Sequence, residues 1–205
     1  MFQLHALPFG TRLSITTTMS DEPSESNNHN GIKHDPKESD NMEPIAIVGM
    51  AVRLPGGIEN PSDLWKFLVE KRDARGLIPK SRYNGDAFFD SDGKPGTSGV
   101  NAGYFLDRDL ELFDTAAFPL SILEIEVLDP VQRQLLEIVR ECLDSAGAVD
   151  QAGKDVGCFV GTFGEDWQDL QRKDTQDFGA HRMTGSSDFA ASNRISYVYD
   201  FRGPR

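Results

Sequence analysis

Four apolar residues in a row, Ile45, Ala46, Ile47 and Val48, run up to Gly49. A short uninterrupted apolar run of this kind predicts a strand buried on both faces, as in a parallel sheet. After a loop carrying Pro55, Gly56 and Gly57, Asn60 is placed to cap a helix with Pro61 at its first position. Leu64, Trp65, Phe67 and Leu68 supply that helix with an apolar face. Residues 76–103 are dense in Gly, Pro, Asp and Ser and predict a long surface excursion with aromatic anchors at Tyr83, Phe88 and Phe89. The strongest helical signal follows: Asp129 as N-cap, Pro130 at the first position and Gln132 at the third to close a capping box. Val131, Leu135, Ile138, Val139, Cys142, Leu143 and Ala146 recur with helical period before Gly147 ends the segment. A second buried strand is predicted over Val156–Val160, then a turn over Gly161–Gly164. Another helix runs from about Asp188 through Ala190, Ala191, Ile195 and Tyr197. Alternating apolar strands and helices predict an α/β layered architecture.

Composition changes the picture at the start of the chain. Met19–Glu43 carries seven acidic residues against two lysines and almost no large apolar side chains, too few to offset ordering entropy by burial. Residues 1–43 are therefore expected to form a disordered acidic leader, and 44–205 a single domain. Met19 reads as a natural start, so the first 18 residues are expected to come from an over-extended start site. Pro8, Gly10 and Arg12 interrupt any signal-peptide core, and no run of about 18 apolar residues occurs elsewhere. No membrane partner and a cytoplasmic location are expected. The formal net charge of −12 argues against a nucleic-acid partner, whose phosphates require clustered Lys and Arg.

Candidate chemistry is sparse. Cys142 falls on the apolar stripe of a helix and Cys158 within an apolar strand, so both read as core residues. Neither has zinc-ligand spacing, and neither implies a disulfide framework. Gly49, Gly56 and Gly57 read as turn residues, since neither GxGxxG nor GxxxxGK[ST] is present. Glu165 and Asp166 before Trp167 read as solvated or helix-capping acids, and His181 as a surface imidazole. Asp129 and Arg133 suit a cap with a local ion pair. No GxSxG elbow occurs. Catalytic residues, bound cofactors and metal ligands are each expected to be none.

Several ordered segments nevertheless resemble the β-ketoacyl synthases, most closely the ketosynthase domains of fungal reducing type I polyketide synthases. They are Glu43–Gly57 (EPIAIVGMAVRLPGG), Asn60–Leu68 (NPSDLWKFL), and Phe113-Asp114 through Asp129-Pro130-Val131-Gln132-Arg133. Gly157–Gly161, Gly164–Trp167 and Phe189–Pro204 (FAASNRISYVYDFRGP) follow in family order. The motif positions carried over, all structural, are Gly49, Asp129, Pro130, Arg133, Gly157, Gly161, Asn193, Arg194, Gly203 and Pro204. Departures are Val52, where Cys is common, and Ile122, where Pro often follows the serine at Ser121.

The resemblance implies a thiolase-like αβαβα fold, of which most of the first half is present. It implies a homodimer partner and an acyl carrier protein whose phosphopantetheine arm delivers substrate for decarboxylative Claisen condensation. In the family a TACSSS-like nucleophile elbow follows the segment matching Asp200–Pro204, and two catalytic histidines come much later. Cys142 and Cys158 match neither nucleophile position, and Arg205 stands where the family usually has Ser. A chain truncated before its nucleophile and inactive alone is the expectation. The alternative is a non-catalytic short product that pairs with a full-length synthase; without the next strand, the helix from Pro130 to Ala146 is then expected to expose part of its apolar face.

Overall fold

The computed structural model of the 205-residue chain describes residues 2–7, 10–15, 45–148, 150–164, 166–173 and 181–205, the first two stretches as backbone strands. In chain order the elements are β1 (Phe2–Leu7), β2 (Gly10–Ile15), β3 (Gly49–Val52), α1 (Pro61–Val69), β4 (Gly76–Leu77), β5 (Ala102–Gly103), α2 (Ile122–Val127), α3 (Pro130–Ser145), β6 (Cys158–Gly161), α4 (Asp166–Arg172), α5 (Arg182–Ser186) and α6 (Asp188–Val198). A four-stranded sheet has the order β3-β2-β1-β6, with β1 parallel to β6 and antiparallel to β2, and β2 antiparallel to β3. Strands β4 and β5 form a separate antiparallel ribbon.

The expected disordered leader differs here in its first fifteen residues, which hold two strands of this sheet. The entropy argument rests on the composition of Met19–Glu43, whereas residues 2–15 carry Leu4, Leu7, Leu13 and Ile15 around a Pro8–Gly10 break that suits a hairpin. The stretch 16–44 lies outside the described residues.

The core forms where α3 and α6 pack on the sheet and on each other. Leu135, Leu136, Ile138, Val139 and Cys142 of α3 meet Ala51 of β3, Cys158 of β6 and Ala191 and Ile195 of α6 in one buried cluster. The apolar face of α3 is thus covered, contrary to the expectation that it lies partly open. Val131 at its first turn is exposed, as is Tyr197 on α6: periodicity gives a helix's apolar side, and the neighbours decide how wide a stripe they cover.

The opening strand is displaced from its expected position. Ile45–Val48 are exposed and outside the ladder, and β3 occupies Gly49–Val52 instead. Cover begins where α3 arrives: a Cβ on Gly49 would lie 2.5 Å from the Cys142 carbonyl oxygen and 2.8 Å from the Ala146 Cβ. Gly49 is therefore a contact residue of the strand, not a turn residue, while Gly56 (φ 87°) and Gly57 (φ 73°) make the turn. Phe159, on the opposite pleat from Cys158, is exposed, so β6 is covered on one face; in β3 Met50 is exposed, but Val52 on the same pleat is buried. The second strand likewise starts two residues later than expected, with Val156 and Gly157 buried but outside it.

Helix α1 is capped as expected, the Asn60 side chain accepting from the Asp63 N–H at 3.0 Å. Its apolar face, however, buries no residue. Tyr83, Phe88 and Phe89 are also exposed, and the excursion is held at this point by backbone pairing of Phe88 and Phe89 with Ser98. Arg53 ties the following loop down by pairing with Glu141 of α3 and donating to the Glu59 carbonyl. Among the described residues no helix is long and apolar enough to cross a membrane.

Candidate functional site

Polar groups converge where α2, α3, α5 and α6 meet. Asp129 caps α3 by accepting from the Val131 N–H at 2.7 Å, and Pro130 needs no N–H partner at the first position. Gln132 does not turn back to close a capping box. It is buried, and its amide donates to the carbonyls of Gly185 (3.2 Å) and Ser187 (3.5 Å) while its oxygen accepts from Arg194 Nε at 3.1 Å. The chain segment entering α6 supplies acceptors no local cap could offer, and desolvation holds the amide among them.

Arg194 is the centre of this arrangement. Its guanidinium also donates to the Thr184 carbonyl at 3.4 Å and pairs with Glu124 at 3.6 Å. Glu124 is held in turn by a true capping box, accepting from the Ser121 N–H (3.1 Å) while the Ser121 hydroxyl accepts from the Glu124 N–H (3.2 Å). The Ser121 backbone bond, its hydroxyl and the charges of Arg194 and His181 hold Glu124 below the usual carboxylate range against partial desolvation. Burial pushes Asp129 the other way, above its ordinary value, and the Val131 N–H and Arg133 oppose this only in part. Arg133 itself reaches the Glu111 carbonyl at 3.5 Å rather than forming the expected close ion pair with Asp129.

A cavity of about 290 Å³ opens beside Arg194, lined by Glu124, His181, Phe189, Asn193 and Tyr197 among others. A second, of about 620 Å³, continues past Asn193 and Tyr197 to Asp200, Arg202 and Arg205. Asn193 turns its amide onto the Phe189 carbonyl at 3.0 Å. The expected acid pair is divided: Asp166 opens α4, and Glu165 lies outside the described residues. Trp167 Nε1 and the Gln171 amide both donate to the Val127 carbonyl at 3.1 Å, pinning α4 to the end of α2.

Neither thiol belongs to this site. Cys142 and Cys158 are 1% and 2% exposed, and burial pushes their pKa values up to about 12 and about 11. No group of three or more metal-ligating side chains occurs among the described residues.

The last segment runs alongside β6. Arg202 N–H donates to the Lys154 carbonyl and Cys158 N–H to the Pro204 carbonyl, both at 2.8 Å. A Cβ on Gly203 would lie 2.5 Å from the Val156 carbonyl carbon, so only glycine permits the approach. Gly157 is buried beneath this contact, and Gly161 ends β6 exposed.

Of the motif positions, the structure bonds Arg194 to Gln132, which was not among them, sets Asp129, Pro130 and Arg133 at the adjoining helix start, and seats Gly157, Gly203 and Pro204 at the strand-like pairing beside β6. The Ser121–Glu124 box is readable as S-x-x-E but was not among the sequence expectations; the Gln132–Arg194 bond, 62 residues apart in the chain, leaves no local signal.

Residues 42–205 match the β-ketoacyl synthase N-terminal domain. A highly reducing polyketide synthase of Fusarium is 56% identical over 162 residues, and one of Purpureocillium lilacinum 53% over 163. These matches cover 78% and 79% of this chain and 6% of each relative. Among solved structures, the oxazolomycin ketosynthase domain of Streptomyces albus JA3453 superposes with TM-score 0.63 at 30% identity, covering 77% of this chain and 27% of that one. The ketosynthase from module 6 of the bacillaene synthase of Bacillus subtilis 168 gives 0.59 at 27% identity over 77% and 25%. The chain therefore belongs to the β-ketoacyl synthase family, with residues 42–205 as N-terminal sequence of a polyketide synthase ketosynthase domain of thiolase-like α/β fold.

Proposed function

We propose that this chain supplies the amino-terminal scaffold of a ketosynthase that joins acyl units by decarboxylative Claisen condensation, and that the nucleophile is not among residues 1–205. The observation that carries the reading is the pairing of Arg202–Pro204 with Lys154–Cys158, made possible by Gly203. In the family the segment matching Asp200–Pro204 leads into the nucleophile elbow. Its pairing beside β6 supports the reading that this segment leads toward that elbow.

In an intact ketosynthase a cysteine thiolate displaces the carrier thiol from an acyl thioester. A carrier-bound malonyl unit then loses carbon dioxide, its enolate carbon attacks the acyl carbonyl, and the cysteine thiolate leaves. Cys142 and Cys158 are buried and their thiols are pushed up in pKa, which does not suit that role and supports the reading that residues 1–205 alone do not condense. The acyl units arrive on the phosphopantetheine arm of a carrier protein. Phe189 and Tyr197 line the Arg194 cavity and are exposed, which supports covering of this face by a second ketosynthase copy. A cytoplasmic location accompanies this reading.

The test is a chimera: residues 42–205 replace the matching stretch of the Fusarium synthase. Retention of polyketide formation is expected. A chimera that folds and accepts an acyl group on its nucleophile but forms no carbon–carbon bond would refute the reading.

A further inference from the structure

Residues 42–205 match the family, yet they do not form a continuous sheet by themselves. Their two strands in the main sheet, β3 and β6, are not neighbours: the order β3-β2-β1-β6 places two strands between them. Three inter-strand steps of about 4.8 Å set β3 and β6 roughly 14 Å apart, a lane wide enough for one β-ribbon. The occupant is the pair Phe2–Leu7 and Gly10–Ile15, which lies outside the matched residues. Its first strand runs parallel to β6 and its second antiparallel to β3, so one antiparallel hairpin satisfies both walls of the lane.

The register is specified by polarity. Val160, Leu4, Leu13 and Ala51 stand in one row across the lane, and Gly161, His5, Arg12 and Val52 in the next. Paired residues lie on one face of a sheet, and successive rows alternate between faces. Leu4 and Leu13 thereby fall in the row of Ala51, which belongs to the buried cluster that α3 covers, and the polar His5 and Arg12 fall in the following row. A slip of one residue would exchange the two sets. The final segment meets the lane as well: the Pro204 carbonyl accepts from the Cys158 N–H, and Cys158 is paired with Phe2. Arg202–Pro204 and β1 both run parallel to the chain entering β6, so the hairpin and the final segment reach β6 at the same residue.

We propose that Phe2–Ile15 is a strand donor built into the chain: it fills the lane between β3 and β6 and so excludes any other ribbon, whether the hairpin of a second copy or, resting on the function proposed above, later ketosynthase sequence. An empty lane would set two edges of unpaired N–H and C=O groups facing one another, the template on which chains associate by strand addition. The covalent link through residues 16–48 makes filling intramolecular, which favours the chain's own hairpin over that of a second copy. Met19 lies between the hairpin and the matched residues, so translation from Met19 instead of Met1 gives the same family sequence with the lane open. The choice of start codon thus decides whether the sheet is closed from within.

The experiment begins with a cross-link in the 205-residue chain. Ser14 and Met50 are paired across β2 and β3. Facing Cβ atoms of such a pair stand about 4.5–5.5 Å apart, close enough for a disulfide after a small adjustment. Ser14→Cys/Met50→Cys is expected to form one intramolecular disulfide, found by mass spectrometry of a digest, at least about ten-fold faster than Ser14→Cys/Thr97→Cys, whose second site is on the distant excursion. Next, the chain starting at Met19 is expected to bind a synthetic peptide of residues 2–15 saturably in fluorescence anisotropy, while the 205-residue chain does not. Leu4→Asp/Leu13→Asp in the peptide should weaken binding by about ten-fold or more, and Gln3→Glu/Ser14→Glu by less than about three-fold. A cross-link no faster than the control, or equal peptide binding by the two chains, overturns the proposal. So does a Met19 chain that stays monomeric on size exclusion and unfolds at the same urea concentration as the full chain. If the Met19 chain does not fold alone, the cross-link decides. Exclusion of later ketosynthase sequence is read in the Fusarium chimera: extending the insert from 42–205 to 1–205 should lower product formation by about half or more, and Leu4→Asp/Leu13→Asp should restore it. No loss on extension overturns that exclusion. A chimera of 42–205 that fails to condense while the cross-link forms sinks the functional reading and leaves the strand donor standing.

Discussion

Replacing Arg194 by Leu tests whether the polar knot holds α6 onto α3. The substitution leaves the Gln132 oxygen, 3.1 Å from Arg194 Nε, without its donor in a buried site, and removes a partner of the Thr184 carbonyl and of Glu124. Orphaning a buried amide oxygen costs about 1–3 kcal/mol. Breaking a fully buried ion pair costs about 3–5 kcal/mol, but Glu124 is a quarter exposed and keeps its Ser121 donors, so its share lies well below that range. The expected total is about 3 kcal/mol. Gln132→Leu strands the Arg194 Nε–H, while the Gly185 and Ser187 carbonyls keep the Asp129 and Ala190 N–H donors, for a loss of about 1–2 kcal/mol. In the double variant the two losses overlap, giving a coupling of about 1–2 kcal/mol. Urea unfolding of the 205-residue chain followed by circular dichroism measures all three, with unchanged slopes confirming a common transition. An Arg194→Leu loss under about 1 kcal/mol, or strict additivity with Gln132→Leu, would refute the argument.

Gly49→Ala is expected to cost about 2–3 kcal/mol in the same assay, because its Cβ would meet the Cys142 carbonyl at 2.5 Å and force α3 away from β3. Gly57→Ala, with nothing within 4 Å but φ at 73°, should cost only about 1 kcal/mol from backbone strain; equal losses at both positions would dismiss close packing as the cause. The two cysteines should be nearly inert to a thiol-reactive disulfide probe at about pH 8, since pKa values of about 11 and about 12 leave a thiolate fraction on the order of one in a thousand or less. Raising the pH toward 9 increases that fraction about ten-fold yet leaves both thiols behind their packing, so reaction should wait for unfolding in urea. Rapid native labelling of either would contradict the placement of Cys142 and Cys158 in the core.

What the sequence carried well is what is decided locally. Asn60 before Pro61 and Asp129 before Pro130 start helices through a side-chain oxygen and a missing N–H, and both starts stand where that chemistry puts them. Leu135, Ile138, Val139, Cys142 and Leu143 of α3 are buried as its period predicts, while Val131 is exposed and Gln132, Gln134 and Leu136 are buried beyond that set. Periodicity, however, reports which side of an element is apolar and not what lies against it. Trp65 and Leu68 form as good an apolar face as Leu135 and Val139, yet the first pair is exposed and the second buried, because only α3 has both the sheet and α6 above it.

The same limit accounts for Gln132. Its position three residues after Asp129 satisfies a local rule, but a buried amide has four hydrogen-bonding opportunities, and the incoming α6 segment offered Gly185, Ser187 and Arg194 together. Three partners in a desolvated site outweigh one backbone N–H at a solvated helix end. Gly49 and Gly203 make the complementary case. Each is indistinguishable from a turn glycine in the local sequence, and each is instead a point where two backbones come within a distance no Cβ permits, Gly49 against α3 and Gly203 against Val156. Family resemblance marked both positions without giving the cause. The cause is that Gly49 joins β3 to α3 and Gly203 joins the final segment to the residues entering β6.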